Sequence, residues 1–243
     1  MGKLRILASG GSPQAQAEAR GKLFEKLMAD VLRHYGYSID QISNVNYAGM
    51  EIDIQGRAIA TGIPLYAECK CLGTEVDSAK FQAFYGKYIS RWWKDKRCQG
   101  LFIAIPDINS HAKGFYRENC EHNTETTLIL LNEDKVLDAV LGTVAPVRPE
   151  EIVRSFPEAL GSPGDWLLLY TEKGLFWAFY VIPRGSGIAS GLALFDKDGS
   201  PVSDRSTHDY LKGICPELKD LAEVAIGGTT IPAPPHQGRA SKK

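Results

Sequence analysis

Residues 49–71 read GMEIDIQGRAIATGIPLYAECKC, and two runs within them, Glu51-Ile52-Asp53-Ile54 and Tyr66-Ala67-Glu68-Cys69-Lys70-Cys71, alternate polar and apolar side chains. Alternation at every second residue marks a strand with one buried face. Ala60-Thr61-Gly62-Ile63-Pro64 supplies turn formers between them, so the stretch predicts a β-hairpin. Ile52 and Ile54 then point one way and Asp53 the other, while Glu68 and Lys70 share a face. Pairing the two strands brings Asp53, Glu68 and Lys70 to one edge of a sheet. Two carboxylates beside an ammonium suit a hard cation such as magnesium, with manganese as the substitute, because magnesium takes one or two carboxylates and keeps several waters. Such an ion polarises a phosphate and helps generate hydroxide, and Lys70 would orient that water or offset charge on phosphorus. Taken alone, however, Glu-Cys-Lys is a common tripeptide, and an aspartate facing a lysine across two strands is an ordinary ion pair. The flanking segments decide between these readings.

Upstream, Ser12-Pro13 reads as a cap and first helical position, and Leu23, Phe24, Leu27, Met28, Val31 and Leu32 form a helical apolar stripe that ends near Gly36. Glu25 borders this stripe. It is either an exposed carboxylate paired with Lys22 or a third acid for the metal site. Tyr37–Tyr47 predicts a short strand leading into the hairpin. Downstream, Asp77 to about Lys96 predicts a second helix whose buried face carries Phe81, Phe84, Tyr85, Tyr88, Ile89 and Trp92. Lys80, Lys87, Arg91 and Lys94 lie along one stripe of it, either tracking a phosphate backbone or forming a solvated basic face. Leu101–Ile105 reads as a central strand, His111–Asn119 as a helix capped by Asn109 or Ser110, Thr126–Leu131 as another buried strand, and Asn132–Leu141 as a capped helix.

With 44% hydrophobic and 23% charged residues, the 243-residue chain has the composition of a globular protein. A formal net charge of −1 excludes a uniformly basic nucleic-acid binder, so any such binding must come from a local patch. No apolar run is long enough to span a membrane, and the first residues lack a signal-peptide core, so the expected location is cytoplasmic, without membrane association. Five scattered cysteines argue against a disulfide framework.

Residues 143–149 read as a linker. Residues 150–226 predict a small α+β domain: a helix over Glu150–Leu160, then an antiparallel meander of Trp166–Tyr170, Leu175–Ile182, Ile188–Phe195 and Pro201–Ser203, then helix over Tyr210–Ile226 in two pieces around Pro216. LFWAFYVI is apolar on both faces and needs cover on both. Residues 227–243 have the composition of a disordered tail.

Taken in order, GKLFEKLMADVLRHYGY with Glu25, EIDI with Asp53, YAECK with Glu68 and Lys70, FQAFYGKY, LFIAIP and LILLNEDKVLDAVL resemble the Mrr-like branch of the PD-(D/E)XK restriction-endonuclease superfamily. The resemblance implies an α/β fold with an αβββαβ core over residues 1–142. It also implies magnesium dependence and hydrolysis of DNA phosphodiesters, with Asp53, Glu68 and Glu25 as metal ligands and Lys70 assisting the nucleophile. Gln82 lies close to where related nucleases carry a helix glutamine, and joins Lys80, Lys87, Arg91 and Lys94 as a DNA-binding candidate. Ile52 stands where the superfamily name has proline, and Glu51 where glycine is frequent. The expected function is that of a DNA endonuclease in restriction or antiphage defence, acting as a dimer or higher homo-oligomer whose C-terminal domain serves assembly or docks a protein partner. The competing readings are a catalytically silent nucleic-acid-binding module and an interaction subunit of a larger complex.

Overall fold

The first long helix begins where its cap stands. Ser12 Oγ accepts the Ala15 N–H at 3.2 Å and Pro13 takes the first helical position, giving α1 (Pro13–His34). It ends at Tyr35, because Gly36 turns the chain with a φ of 85° that glycine adopts without penalty. In the computed structural model, which describes residues 2–42, 51–224 and 226, β1 (Lys3–Leu7) precedes α1. After α1 come β2 (Tyr37–Ile42), β3 (Ile54–Ala58), β4 (Pro64–Cys71), α2 (Ser78–Trp92), β5 (Gln99–Ile105), α3 (Ser110–Tyr116), β6 (Thr127–Leu131) and α4 (Glu133–Thr143). From α1 to β5 this is the expected αβββαβ order. Residues 43–47 of the predicted strand and the predicted tail at 227–243 lie outside the described residues.

These strands form one sheet in the order β2-β3-β4-β5-β6. β3 is antiparallel to both β2 and β4, whereas β4, β5 and β6 run parallel. The carboxyl ends of β4, β5 and β6 therefore share one edge with the start of β3. Phe81, Phe84 and Tyr88 of α2 cover one face, packing on Phe102 and Ala104 of β5 and on Leu128 and Leu130 of β6.

Several boundaries differ from the sequence reading. β3 starts at Ile54 rather than Glu51, because the Cys69 N–H across from it bonds the Asp53 carboxylate. α2 stops at Trp92 rather than Lys96: Asp95 accepts the Arg97 N–H and the Arg97 guanidinium, folding the chain into a turn. α3 closes at Tyr116 and continues as a π-helical turn, Arg117–Glu121. β6 is an edge strand with alternating exposure, so Ile129 faces solvent rather than a second layer.

Contact density divides the chain into two compact units, one of Lys3–Ala145 with Leu169–Gly174, the other of Met1–Gly2, Pro146–Leu168 and Leu175–Lys243. The C-terminal segment contributes α5 (Pro149–Ser155), β7 (Ser162–Thr171), β8 (Gly174–Ile182), β9 (Gly191–Asp196), α6 (Arg205–Ile214) and β10 (Ala222–Glu223). β8 and β9 are antiparallel, as the meander predicts. Along β8, Leu175, Trp177, Phe179 and Val181 are buried, whereas Phe176, Tyr180 and Ile182 opposite them are half-buried. The predicted helix at 150–160 breaks at Phe156, which precedes Pro157 and is driven extended by it. The predicted strand Pro201–Ser203 reduces to a single bridge, Phe195 to Pro201. Helix over Tyr210–Ile226 is corrected as well: α6 ends at Ile214, a 3-10 turn covers Pro216–Leu218, and β10 then pairs parallel with β9.

Candidate active site

β4 runs in register with β5, so Glu68 lies beside Phe102 and Lys70 beside Ala104. Neighbours across a ladder share a face, and Phe102 and Ala104 belong to the cluster under α2. Glu68 and Lys70 therefore emerge on the α2 side. Lys70 Nζ lies 2.7 Å from Glu68 Oε1 and 3.5 Å from Asp53 Oδ2. The Cys69 N–H donates to the same Asp53 oxygen at 2.8 Å, fixing the carboxylate just outside β3. From α2, Lys87 Nζ approaches Glu68 Oε2 to 3.3 Å. Two carboxylates and two ammonium groups thus meet at one sheet edge, and Asp53 and Glu68 are only 7% and 6% exposed.

Burial pushes the Asp53 carboxyl above its ordinary value, and the Glu68 charge adds to the rise, while Lys70 and the Cys69 N–H oppose it. Burial works against the Lys70 ammonium, but Asp53 and Glu68 outweigh it and hold its pKa above the usual lysine value. Lys70 is accordingly charged at neutral pH, a proton donor and not a base. Because the folded pKa of Asp53 is raised, its ionisation costs stability at every pH above that raised value, and the cost vanishes below the ordinary carboxylate value, where folded and unfolded chains are both protonated. Asp53→Asn is expected to stabilise the protein at pH 7 by about 1 kcal/mol, within the usual gain from relieving a strained functional group. A melting temperature that falls would show that the carboxylate is net stabilising here.

The donor set suits a hard divalent ion: two carboxylates, with room for waters, are what magnesium ordinarily takes. Glu25 is half-buried on α1, where its charge is felt by the thiol of Cys69, the residue between Glu68 and Lys70. Among the described residues no three His, Cys, Asp or Glu side chains converge closely enough to hold a metal. Glu51 is exposed ahead of β3.

The basic stripe of α2 divides. Lys80 is exposed and paired with Asp77, and Gln82 is exposed and donates to Ser78 Oγ at 2.8 Å. Lys87 turns into the site, while Arg91 is buried with its guanidinium 5.6 Å from the Tyr66 ring centre. Lys94 is exposed beyond the last turn. Since α2 carries the chain from the end of β4 to the start of β5, Lys94 stands at the opposite sheet edge, roughly 20 Å along the helix from Lys80. Spacing alone put Lys87 among the surface cations. Its position three residues after buried Phe84, at the margin of the apolar stripe, was the available signal for an inward role. The Cys69 N–H left no mark in the sequence, being a backbone group.

Among solved structures the chain is similar to a repair endonuclease from Pyrococcus abyssi, at 14% identity and a TM-score of 0.35, over 51% of this chain and 50% of that one. It is also similar to EndoMS in a complex with double-stranded DNA (16% identity, TM-score 0.33, 46% of each chain). A third is the MspJI restriction endonuclease with a 27-mer oligonucleotide (12%, 0.33, 49% of this chain and 26% of that one). The chain spans about half the length of the first of these. No curated protein matches it. Among the described residues no helix is long and apolar enough to cross a membrane. Residues 16–140, just over half of the chain, match the Mrr_cat family, described as restriction endonuclease. That span contains most of α1, the whole first sheet and the buried Asp53–Glu68–Lys70 cluster, and the chain belongs to this family of PD-(D/E)XK restriction endonucleases.

Proposed function

We propose that the protein is a magnesium-dependent DNA endonuclease acting in a restriction or antiphage system. The observation that carries this reading is the pair of buried carboxylates held at one sheet edge by Lys70 and Lys87, inside the restriction-endonuclease span. Structures are held together at lower cost by apolar side chains, so such a cluster is retained for chemistry. Asp53 and Glu68 would hold the ion, which when bound supplies Lewis-acid polarisation of the phosphate and acidifies a water.

The remaining steps belong to the chain. Lys70, charged and anchored to both acids, donates toward the attacking water or a phosphate oxygen and offsets charge developing on phosphorus. Lys87 fixes the second Glu68 oxygen and keeps that carboxylate from swinging away. Lys80 and Gln82, near the start of α2, would meet the DNA backbone, with Lys94 farther along the helix. Glu25, on α1, would be the third acid for that ion. One site cuts one strand, so cleavage of a duplex uses two copies, and we assign the C-terminal segment to that assembly or to a partner.

The test is incubation of the full chain with duplex and single-stranded DNA in magnesium, in manganese and in chelator, with light scattering on the same preparation. Cleavage in either metal, abolished by chelator, from a particle of about twice the chain mass is expected. Metal-independent cleavage or no cleavage of either substrate would overturn the enzymatic reading. A monomer that cuts both strands would overturn the assembly.

A further inference from the structure

The segments that follow β5 and β6 form an open cavity of about 210 Å³, whose lining includes Asp107, Lys113, Tyr116, Arg117, Glu121 and Lys135. It lies at the same edge of the sheet as the acids. The carboxyl ends of the three parallel strands are aligned, with Lys70 beside Ala104 and Ile103 beside Leu131. It also lies on the same face. Glu68, Phe102 and Leu130 are neighbours across the ladder, and Leu130 lines the cavity. Crevices outside the carboxyl ends of parallel strands are where open α/β sheets bind ligands. Two strand spacings separate β4 from β6, which puts the cavity roughly 10 Å from Glu68.

The lining favours an anion. Asp107 pairs with Lys113 at 2.8 Å and accepts the Ile108 N–H at 2.7 Å, which leaves two cations, Arg117 and Lys135, against one carboxylate, Glu121. Lys135 Nζ donates to the Leu130 carbonyl at 3.2 Å, which leaves two of its three protons. Arg117 has no carboxylate within ion-pair distance among the described residues, although Glu121 shares the lining. At about 210 Å³ the space is below the roughly 300 Å³ of the smallest usual organic-ligand pockets, too small for a whole nucleotide and suited to a phosphate group.

We propose that this cavity is a phosphate subsite for the nucleic-acid strand that passes the Asp53–Glu68–Lys70 cluster, with Arg117 and Lys135 as donors. Successive phosphates of a strand stand farther apart than its axial rise of about 3.4 Å per nucleotide, so the backbone phosphate it seats lies one or two nucleotides from the bond at Glu68. The inference rests on the nuclease reading for its choice of ligand. It fixes the direction of the strand across the sheet, from β4 toward β6.

The experiment is anisotropy binding of a fluorescent oligonucleotide across a salt series in calcium, with the full chain and with Arg117→Ala/Lys135→Ala. The double variant should bind about tenfold more weakly and lose about two units of salt slope, one for each phosphate contact removed. Arg33→Ala, removing an exposed α1 cation that is paired with Asp30, should leave affinity and slope within half of that change. Oligonucleotides with one neutral methylphosphonate linkage, walked along the whole strand, should weaken wild-type binding at a particular linkage, one or two nucleotides from any cut site, and have no added effect there in the double variant. Inorganic phosphate at millimolar concentration should not displace the oligonucleotide. An unchanged slope in a folded double variant, or equal sensitivity at every linkage, overturns the subsite. Displacement by inorganic phosphate alone reassigns the cavity to a free anion and overturns the strand assignment. If the linkage effect is found while the protein cuts no DNA in any metal, the subsite stands and the nuclease reading falls.

Discussion

Lys70→Ala is expected to lower DNA cleavage by about 10²–10³-fold, the usual loss when one donor to a developing negative charge is removed. The variant should remain folded, because Lys70 is the accessible member of the cluster and alanine fits a strand. Its removal leaves Asp53 and Glu68 as neighbouring buried carboxylates with only Lys87 to offset them, so their apparent affinity for a divalent ion should rise while turnover collapses. Glu68→Ala should abolish cleavage just as completely, but it should lower metal affinity, and this opposite sign separates a ligand from a charge donor. Initial rates with plasmid DNA, paired with calorimetric titration of magnesium or manganese, read both quantities. Cleavage by Lys70→Ala within about tenfold of wild type would remove the lysine from the chemistry.

The second large effect is on stability. Phe102 is fully buried and packs edge-on against Phe81 at 4.9 Å and tilted against Phe84 at 5.6 Å. Phe102→Ala is expected to cost about 3–5 kcal/mol, since the lost transfer energy and the cavity beneath α2 add. Phe102 is also the ladder neighbour of Glu68, so cleavage should fall further than the loss of folded protein explains. Denaturant unfolding together with cleavage at a temperature where the variant is folded would show both. A cost under about 1 kcal/mol would mean that α2 collapses onto β5 without strain.

The parts of this molecule that were legible in the sequence are those set by local periodicity. Ser12 caps α1 as its pattern assigns, Asn109 is the one of two candidates that caps α3, and the helices read as starting at Asp77 and Asn132 are capped by those residues. Glu68 and Lys70 share a face because a strand leaves them no alternative. What was not legible depends on partners distant in sequence. Asp53 reads as mid-strand, yet its carboxylate takes the Cys69 N–H and the ladder begins one residue later. Lys87 and Arg91 look equivalent to Lys80 and Lys94 on a helical wheel. The sheet draws the first to Glu68 and the second under cover beside Tyr66. The predicted helix after Pro216 gave way to β10 because Val224 N–H finds the Leu192 carbonyl at 2.9 Å, a long-range bond that no local propensity encodes.

The hydrogen bond from the Cys69 N–H to Asp53 also bears on inheritance. The acid is oriented by main chain, so position 69 serves the site whatever its side chain, and selection there is left to the core beneath β4, where a small apolar group is wanted. Proline alone, lacking the N–H, would untie the acid. A lineage can therefore exchange the residue between Glu68 and Lys70 freely while keeping the chemistry intact, which leaves the middle of the Glu-Cys-Lys tripeptide its least informative letter.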